Sequence, residues 1–125
     1  MDLSAKHKEI LGECAYDHVG LWSVIRTIDD NAYWEGLLPA SVRSEVMQLI
    51  RDLLEHGLIE AGNFAPDREA QAGWLPISGS TDTVIAAIAR AWDELDRTPN
   101  IGDVCWFTAT PAGKKLAEEL DLKGY

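Results

Sequence analysis

Ser41-Val42-Arg43-Ser44-Glu45-Val46-Met47-Gln48-Leu49-Ile50-Arg51-Asp52-Leu53-Leu54-Glu55-His56-Gly57-Leu58-Ile59-Glu60-Ala61 is the stretch on which the fold turns. Val42, Val46, Leu49, Ile50, Leu53 and Leu54 recur at i, i+4, i+7 and i+8, which gathers them on one side of a helix. Ser41 can cap its start. His56-Gly57 marks its end, because glycine takes the left-handed conformation that closes a helix. Leu58-Ile59-Glu60-Ala61 then reads as the beginning of a short strand.

Working outward, residues 61–79 show neither period and contain Pro66, Gly73, Pro76 and Gly79. They read as a long loop, of a length more often functional than structural, with Trp74-Leu75-Pro76-Ile77 as its apolar part. A helix over Asp82–Asp96 follows, capped by Ser80 or Thr81, with Val84, Ile85, Ile88, Trp92 and Leu95 as its buried face; Thr98-Pro99-Asn100 stops it. Val104-Cys105-Trp106-Phe107-Thr108 is β-prone. Thr110-Pro111 opens a last helix with cap and N1 proline in the favoured order, Leu116 and Leu120 as its apolar edge and Gly124 at its end. Upstream, Asp17–Asp30 reads as a helix burying Leu21, Trp22, Ile25 and Ile28. Leu11, Cys14 and His18 extend that stripe backward. Gly12 and Gly20 weaken a single long helix, which leaves a separate short one near Ser4–Leu11 as the alternative. Residues 30–40 leave room for one helical turn at most.

Two segments together resemble winged-helix regulators of the MarR and PadR kind. Leu53-Leu54-Glu55-His56-Gly57-Leu58-Ile59-Glu60 is similar to the exit from a recognition helix into the first wing strand. Trp106-Phe107-Thr108-Ala109-Thr110-Pro111-Ala112-Gly113-Lys114-Lys115-Leu116 looks like the returning wing strand and the T-P-x-G start of the C-terminal helix. The resemblance implies one α+β, mostly helical domain over residues 1–125. Its parts would be a three-helix core, a small antiparallel hairpin, and an insertion at 61–100 that carries an extra helix between the wing strands. It also implies a DNA-reading alternative, in which Arg43, Ser44, Gln48 and Arg51 face outward from the recognition-like helix.

Charge speaks against that alternative. Eleven Lys and Arg face 21 Asp and Glu, for a net charge of −10. The excess is spread evenly, with 5 basic and 11 acidic residues in 1–60 and 6 and 10 in 61–125. A duplex-binding domain gains affinity by replacing counterions with Lys and Arg, and this chain has few to offer. Acidity favours basic partners instead. With 46% hydrophobic and 26% charged residues the composition is that of a globular protein. No apolar run approaches the ~18 residues that cross a bilayer. The first residues lack the apolar core of a secretory signal, so a cytoplasmic protein with reduced Cys14 and Cys105 is expected.

Signatures of catalysis are missing: there is no GxSxG, HExxH, phosphate-cradling glycine loop or GxGxxG. Cys14 and His18, spaced i and i+4, are the one metal-like pair, with His7 or His56 needed to complete it; a shared core stripe explains them as well. Solvated helix ends account for Asp29-Asp30 and for Asp93, Glu94 and Asp96. Trp22, Trp92 and Trp106 are expected in the core, whereas Trp34 and Trp74 fall in connections. The leading expectation is a non-catalytic module, without cofactor or metal, that binds another protein. Trp74 in the 61–79 loop and the acidic face of Asp93, Glu94 and Asp96 would form its surface. The partner would be a basic toxin, a basic regulator or a second copy of the chain, in an immunity or anti-regulator role. A DNA-binding repressor stands second, and a small enzyme or metal protein centred on Cys14 and His18 third.

Overall fold

Helix α4 (Ala40–Glu55) is the spine of the molecule, and its buried face is Val42, Val46, Leu49, Ile50 and Leu53, as the periodicity requires. Pro39, not Ser41, occupies its N-cap, without a side-chain bond. Gly57 follows its end at a φ of 65°, and the chain passes into strand β2 (Ile59–Phe64). These observations come from a computed structural model that describes residues 2–64 and 73–123.

Before α4 the chain forms α1 (Ala5–Tyr16), β1 (Val19–Gly20), α2 (Leu21–Ile28) and α3 (Asp30–Glu35). After β2 it forms β3 (Trp74–Pro76), α5 (Thr81–Leu95), β4 (Trp106–Ala109) and α6 (Pro111–Glu119). The described residues thus make an α+β fold with a four-stranded antiparallel sheet in the order β1-β4-β2-β3. No helix among them is long and apolar enough to cross a membrane.

The two segments that carried the resemblance meet as one joint. β2 and β4 pair antiparallel, with Ile59 opposite Ala109 and Gly62 opposite Trp106. Thr110 caps α6 by accepting from the Gly113 amide at 3.0 Å. Its own amide donates to the Leu58 carbonyl and its hydroxyl to the Gly57 carbonyl. A Cβ at Gly113 would collide with that Leu58 carbonyl, so the helix sits this close to the α4–β2 exit only because position 113 is glycine. α5 lies between β2 and β4 in sequence, as expected, and Ser80 caps it by accepting from the Thr83 amide. Ile10, Leu11, Leu21, Ile25, Ile50, Leu53, Ile88 and Phe107 are fully buried between helices and sheet. Each contributes about 1.5–3 kcal/mol by leaving water.

Several expectations are corrected. Residues 61–79 are not one loop: residues 61–64 belong to β2 and 74–76 to β3, which pair through Gly62–Pro76 and Phe64–Trp74. β3 is a three-residue edge strand that ends in proline, and the last residues of β2 include Gly62 and Asn63, so neither shows a strand period. Of the expected features, residues 65–72, with Pro66, and Gly124 lie outside the described residues. Residues 30–40 contain the six-residue α3, capped by Asp29 accepting from the Ala32 amide. The upstream helix breaks at Asp17, not near Leu11, so His18 lies beyond α1 and shares no helix face with Cys14. Leu120 is exposed; Gly113 and Ala117 are the residues α6 buries.

Candidate functional site

On the polar face of α4, where the DNA-reading residues were expected, side chains of α4 and α5 engage both arginines. The Arg43 guanidinium contacts Asp93 at 2.6 Å, donates to the Ala89 carbonyl at 3.3 Å, and stacks 4.7 Å from the centre of the buried Trp92 ring. Arg51 is held between Asp82 at 2.6 Å and Glu55 at 3.5 Å. Gln48 donates to Asp52 at 2.8 Å, and Ser44 is exposed. Both arginines on this face therefore already have carboxylate partners within the chain. Asp93 is accordingly part of the α4–α5 joint. Glu94 and Asp96 are exposed beside it at the end of α5, with Asp96 in the left-handed region at a φ of 56°. Nothing joins these three acids to Trp74, which packs elsewhere.

Trp74 belongs to a band of aromatic side chains on the outer face of the sheet. Alternation along β4 turns Phe107 and Ala109 inward and Trp106 and Thr108 outward. On β2 the same alternation brings Glu60, Gly62 and Phe64 to the outer face. The Trp74 ring lies across Gly62, where a Cβ would come within 2.7 Å of it, and its indole N–H donates to Glu60 at 2.7 Å. Phe64 meets the ring edges of Trp74 at 5.5 Å and Trp106 at 5.8 Å, and His18 sits 4.8 Å from both Phe64 and Trp74. Such edge contacts are worth about 0.5–1.5 kcal/mol each beyond the area they bury.

The band continues past β1 onto α2 and α3. Trp22 lies on Gly20, where a Cβ would come within 2.7 Å of its indole and 3.6 Å of Trp106. Arg26 stands between Trp22 and Trp34, 5.4 and 5.2 Å from the two ring centres. Asp30 accepts from both Arg26 and the Trp34 indole. Trp34 is 67% exposed and Phe64 46%. Trp22 and Trp106, expected in the core, are half-buried on this surface. Only Trp92 of the five tryptophans is buried, at 6% exposure.

Carboxylates rim the band. A cleft of about 280 Å³ is lined by Glu13, Asp17, His18, Trp22 and Trp106. A second cleft, about 340 Å³, holds Glu9, Glu13, Arg26 and Asp30. Glu13 lines both and makes no ion pair among the described residues. Burial pushes its carboxyl above the usual range, Glu9 adds to that, and Arg26 only partly offsets it.

A larger cleft, about 450 Å³, lies elsewhere, between the start of α1 and α4. There Ser4, His7 and Asp52 stand in a row, at 2.5 Å from Ser4 Oγ to His7 Nδ1 and 2.9 Å from His7 Nε2 to Asp52. Ser4 Oγ also accepts from the His7 amide while the Ser4 amide donates to Nδ1, so the three residues form a capping box tied to α4. Burial works against the Asp52 carboxylate, but hydrogen bonds from His7 and Gln48 outweigh it and hold its pKa below the usual value. Cys14 and Cys105 are free and buried; burial raises both thiols, that of Cys105 to about 12. No group of three potential metal ligands occurs among the described residues.

Sequence reading missed Phe64, Glu60, Glu13 and the outward turn of Trp106. The alternation Trp106-Phe107-Thr108-Ala109 could have shown the last, because one of the two aromatics must face away from the core. Comparison of the chain with protein-family models, curated proteins and solved structures gives no match.

Proposed function

We propose that the chain is a non-catalytic, winged-helix-like module that binds a basic protein through its aromatic band. The single observation that carries this reading is the position of the tryptophans. Trp22, Trp34, Trp74 and Trp106 share one partly exposed surface, together with Phe64. Tryptophan is the side chain most enriched among residues that dominate binding energy, and exposed rings cost solvation unless a partner covers them. The carboxylates around the band and the net charge of −10 favour a basic partner. An immunity or anti-regulator role fits that chemistry. The winged-helix relationship is supported by the joint between Gly57-Leu58 and Thr110-Gly113 and by the pairing of β2 with β4. The DNA-reading alternative has less support, because Arg43 and Arg51 are engaged by acids of α4 and α5 and have little charge left for phosphates.

The test is a substitution scan against the partner recovered from the native cell. Trp34→Ala and Phe64→Ala are expected to weaken binding by about 2 kcal/mol or more. Gln48→Ala on α4 should stay within about 0.5 kcal/mol. The opposite pattern would overturn the reading. A partner identified as a second copy of this chain would replace the basic protein with a homodimer.

A further inference from the structure

We infer that the cleft between Trp22 and Trp106, with Glu13 and Asp17 on its rim, is a site for a single arginine side chain of the partner. The inference rests on the protein-binding reading of the band and names the chemistry at its centre. A guanidinium is planar, stacks on indole faces, and presents a fork of donors to carboxylates; a lysine ammonium matches only the charge. The cleft offers the complementary set: two indoles, the carboxylates of Glu13 and Asp17, and a volume of about 280 Å³.

Three further observations support it. The molecule already shows the arrangement once, where Arg26 stands between Trp22 and Trp34 with its Nε on Asp30 at 2.9 Å. Across the two adjoining clefts the acids Glu9, Glu13, Asp17 and Asp30 outnumber the basic groups, Arg26 beside Asp30 and His18 beside Asp17, so the local charge is negative and favours a further cation. Third, the site is incomplete as it stands. Glu13 is partly buried without an ion pair, and burial opposes its charge. A partly buried carboxylate left in this state costs stability, and a guanidinium that pairs with it recovers part of that cost.

The experiment needs no partner. The probes are Nα-acetyl-arginine amide, its neutral isostere Nα-acetyl-citrulline amide, and Nα-acetyl-lysine amide. Each is titrated into the ¹⁵N-labelled protein while the indole N–H resonances are followed. Arginine amide is expected to shift the Trp22 and Trp106 indole signals saturably, with the lysine compound weaker and citrulline without effect. Glu13→Gln should weaken arginine binding about tenfold, the scale of one charge-assisted hydrogen bond. Asp17→Asn, on a more exposed carboxylate, should have a smaller effect. Citrulline binding as well as arginine, or Trp22 and Trp106 signals that never saturate, would overturn the arginine site. Those results would leave the band itself to be judged by the Trp34 and Phe64 substitutions.

Discussion

The polar face of α4 and the aromatic band are both made of residue types that suit recognition, yet the fold treats them in opposite ways. On α4, Arg43 and Arg51 meet Asp93 and Asp82 of α5 at 2.6 Å, and Arg43 is stacked on Trp92. The inserted helix thus engages both arginines of that face, while Ser44 and Gln48 stay exposed. On the band, among the described residues, Glu13 has no ion pair and the Trp22 indole no hydrogen-bond partner, and Trp34 stands mostly in solvent. Residue types alone therefore do not decide whether a face is left free to recognise a partner; the neighbours it is given do. Arginines on a recognition-like helix are a signal for DNA only while no internal acid reaches them.

Substitutions on the two faces should differ in their effects. The largest effect is expected from Trp92→Ala, which removes the buried ring that holds α5 on α4 and the surface on which Arg43 rests. A loss of about 3–5 kcal/mol is expected, read from the chemical-denaturation midpoint. A loss near the surface range would mean that α5 is not locked onto α4. Trp74→Ala should cost less, about 1–3 kcal/mol, because its ring is half-buried against Gly62, Phe64 and His18. This exceeds what a freely exposed anchor would cost, since Trp74 sits in a paired strand. A cost below about 0.5 kcal/mol would show that the ring does not rest on the sheet.

Asp93→Asn tests the pair that closes α4. Asp93 is largely exposed, so at most about 1 kcal/mol of stability is at stake. Thermal unfolding at low and high salt would show the difference, and it should shrink as salt rises. The smallest effect concerns Asp52, whose folded pKa lies below its ordinary 3.8. A depressed acid contributes stability that is present above its unfolded pKa and lost as pH falls through the folded one. Wild type should therefore lose more stability than Asp52→Asn between about pH 5 and pH 2. Parallel curves for the two proteins would remove the contribution of the His7–Asp52 contact.

Much of the fold was legible because helices with wide apolar stripes announce themselves. α4, α5 and the Thr110-Pro111 cap of α6 follow from spacing and capping chemistry alone. What escaped were short elements: β1 has two residues, β3 three and α3 six, too few for any period to register. The site was half legible. Trp34 and Trp74 stood out as aromatics outside the helical stripes, but Trp22 and Trp106 were assigned to the core. On α2 the neighbours Leu21, Val24 and Ile25 fill the buried face and leave Trp22 at its edge. The pairing of Asp93 with Arg43 is a contact between two helices 50 residues apart, which no local pattern encodes.

The most direct measurement of which face recognises a partner is a pair of titrations of the ¹⁵N-labelled protein at about 0.15 M salt, where exposed charges are screened beyond roughly 8 Å. One uses a duplex of about 20 base pairs, ample for one recognition helix and its flanking phosphate contacts. The other uses an arginine-rich peptide. The account expects the peptide to shift the indole signals of Trp22, Trp34 and Trp106 and leave Ser44 and Gln48 unmoved, while the duplex shows no appreciable binding. Micromolar duplex binding that shifts Ser44 and Gln48, with an affinity falling steeply as salt rises, would contradict it and return the recognition surface to α4.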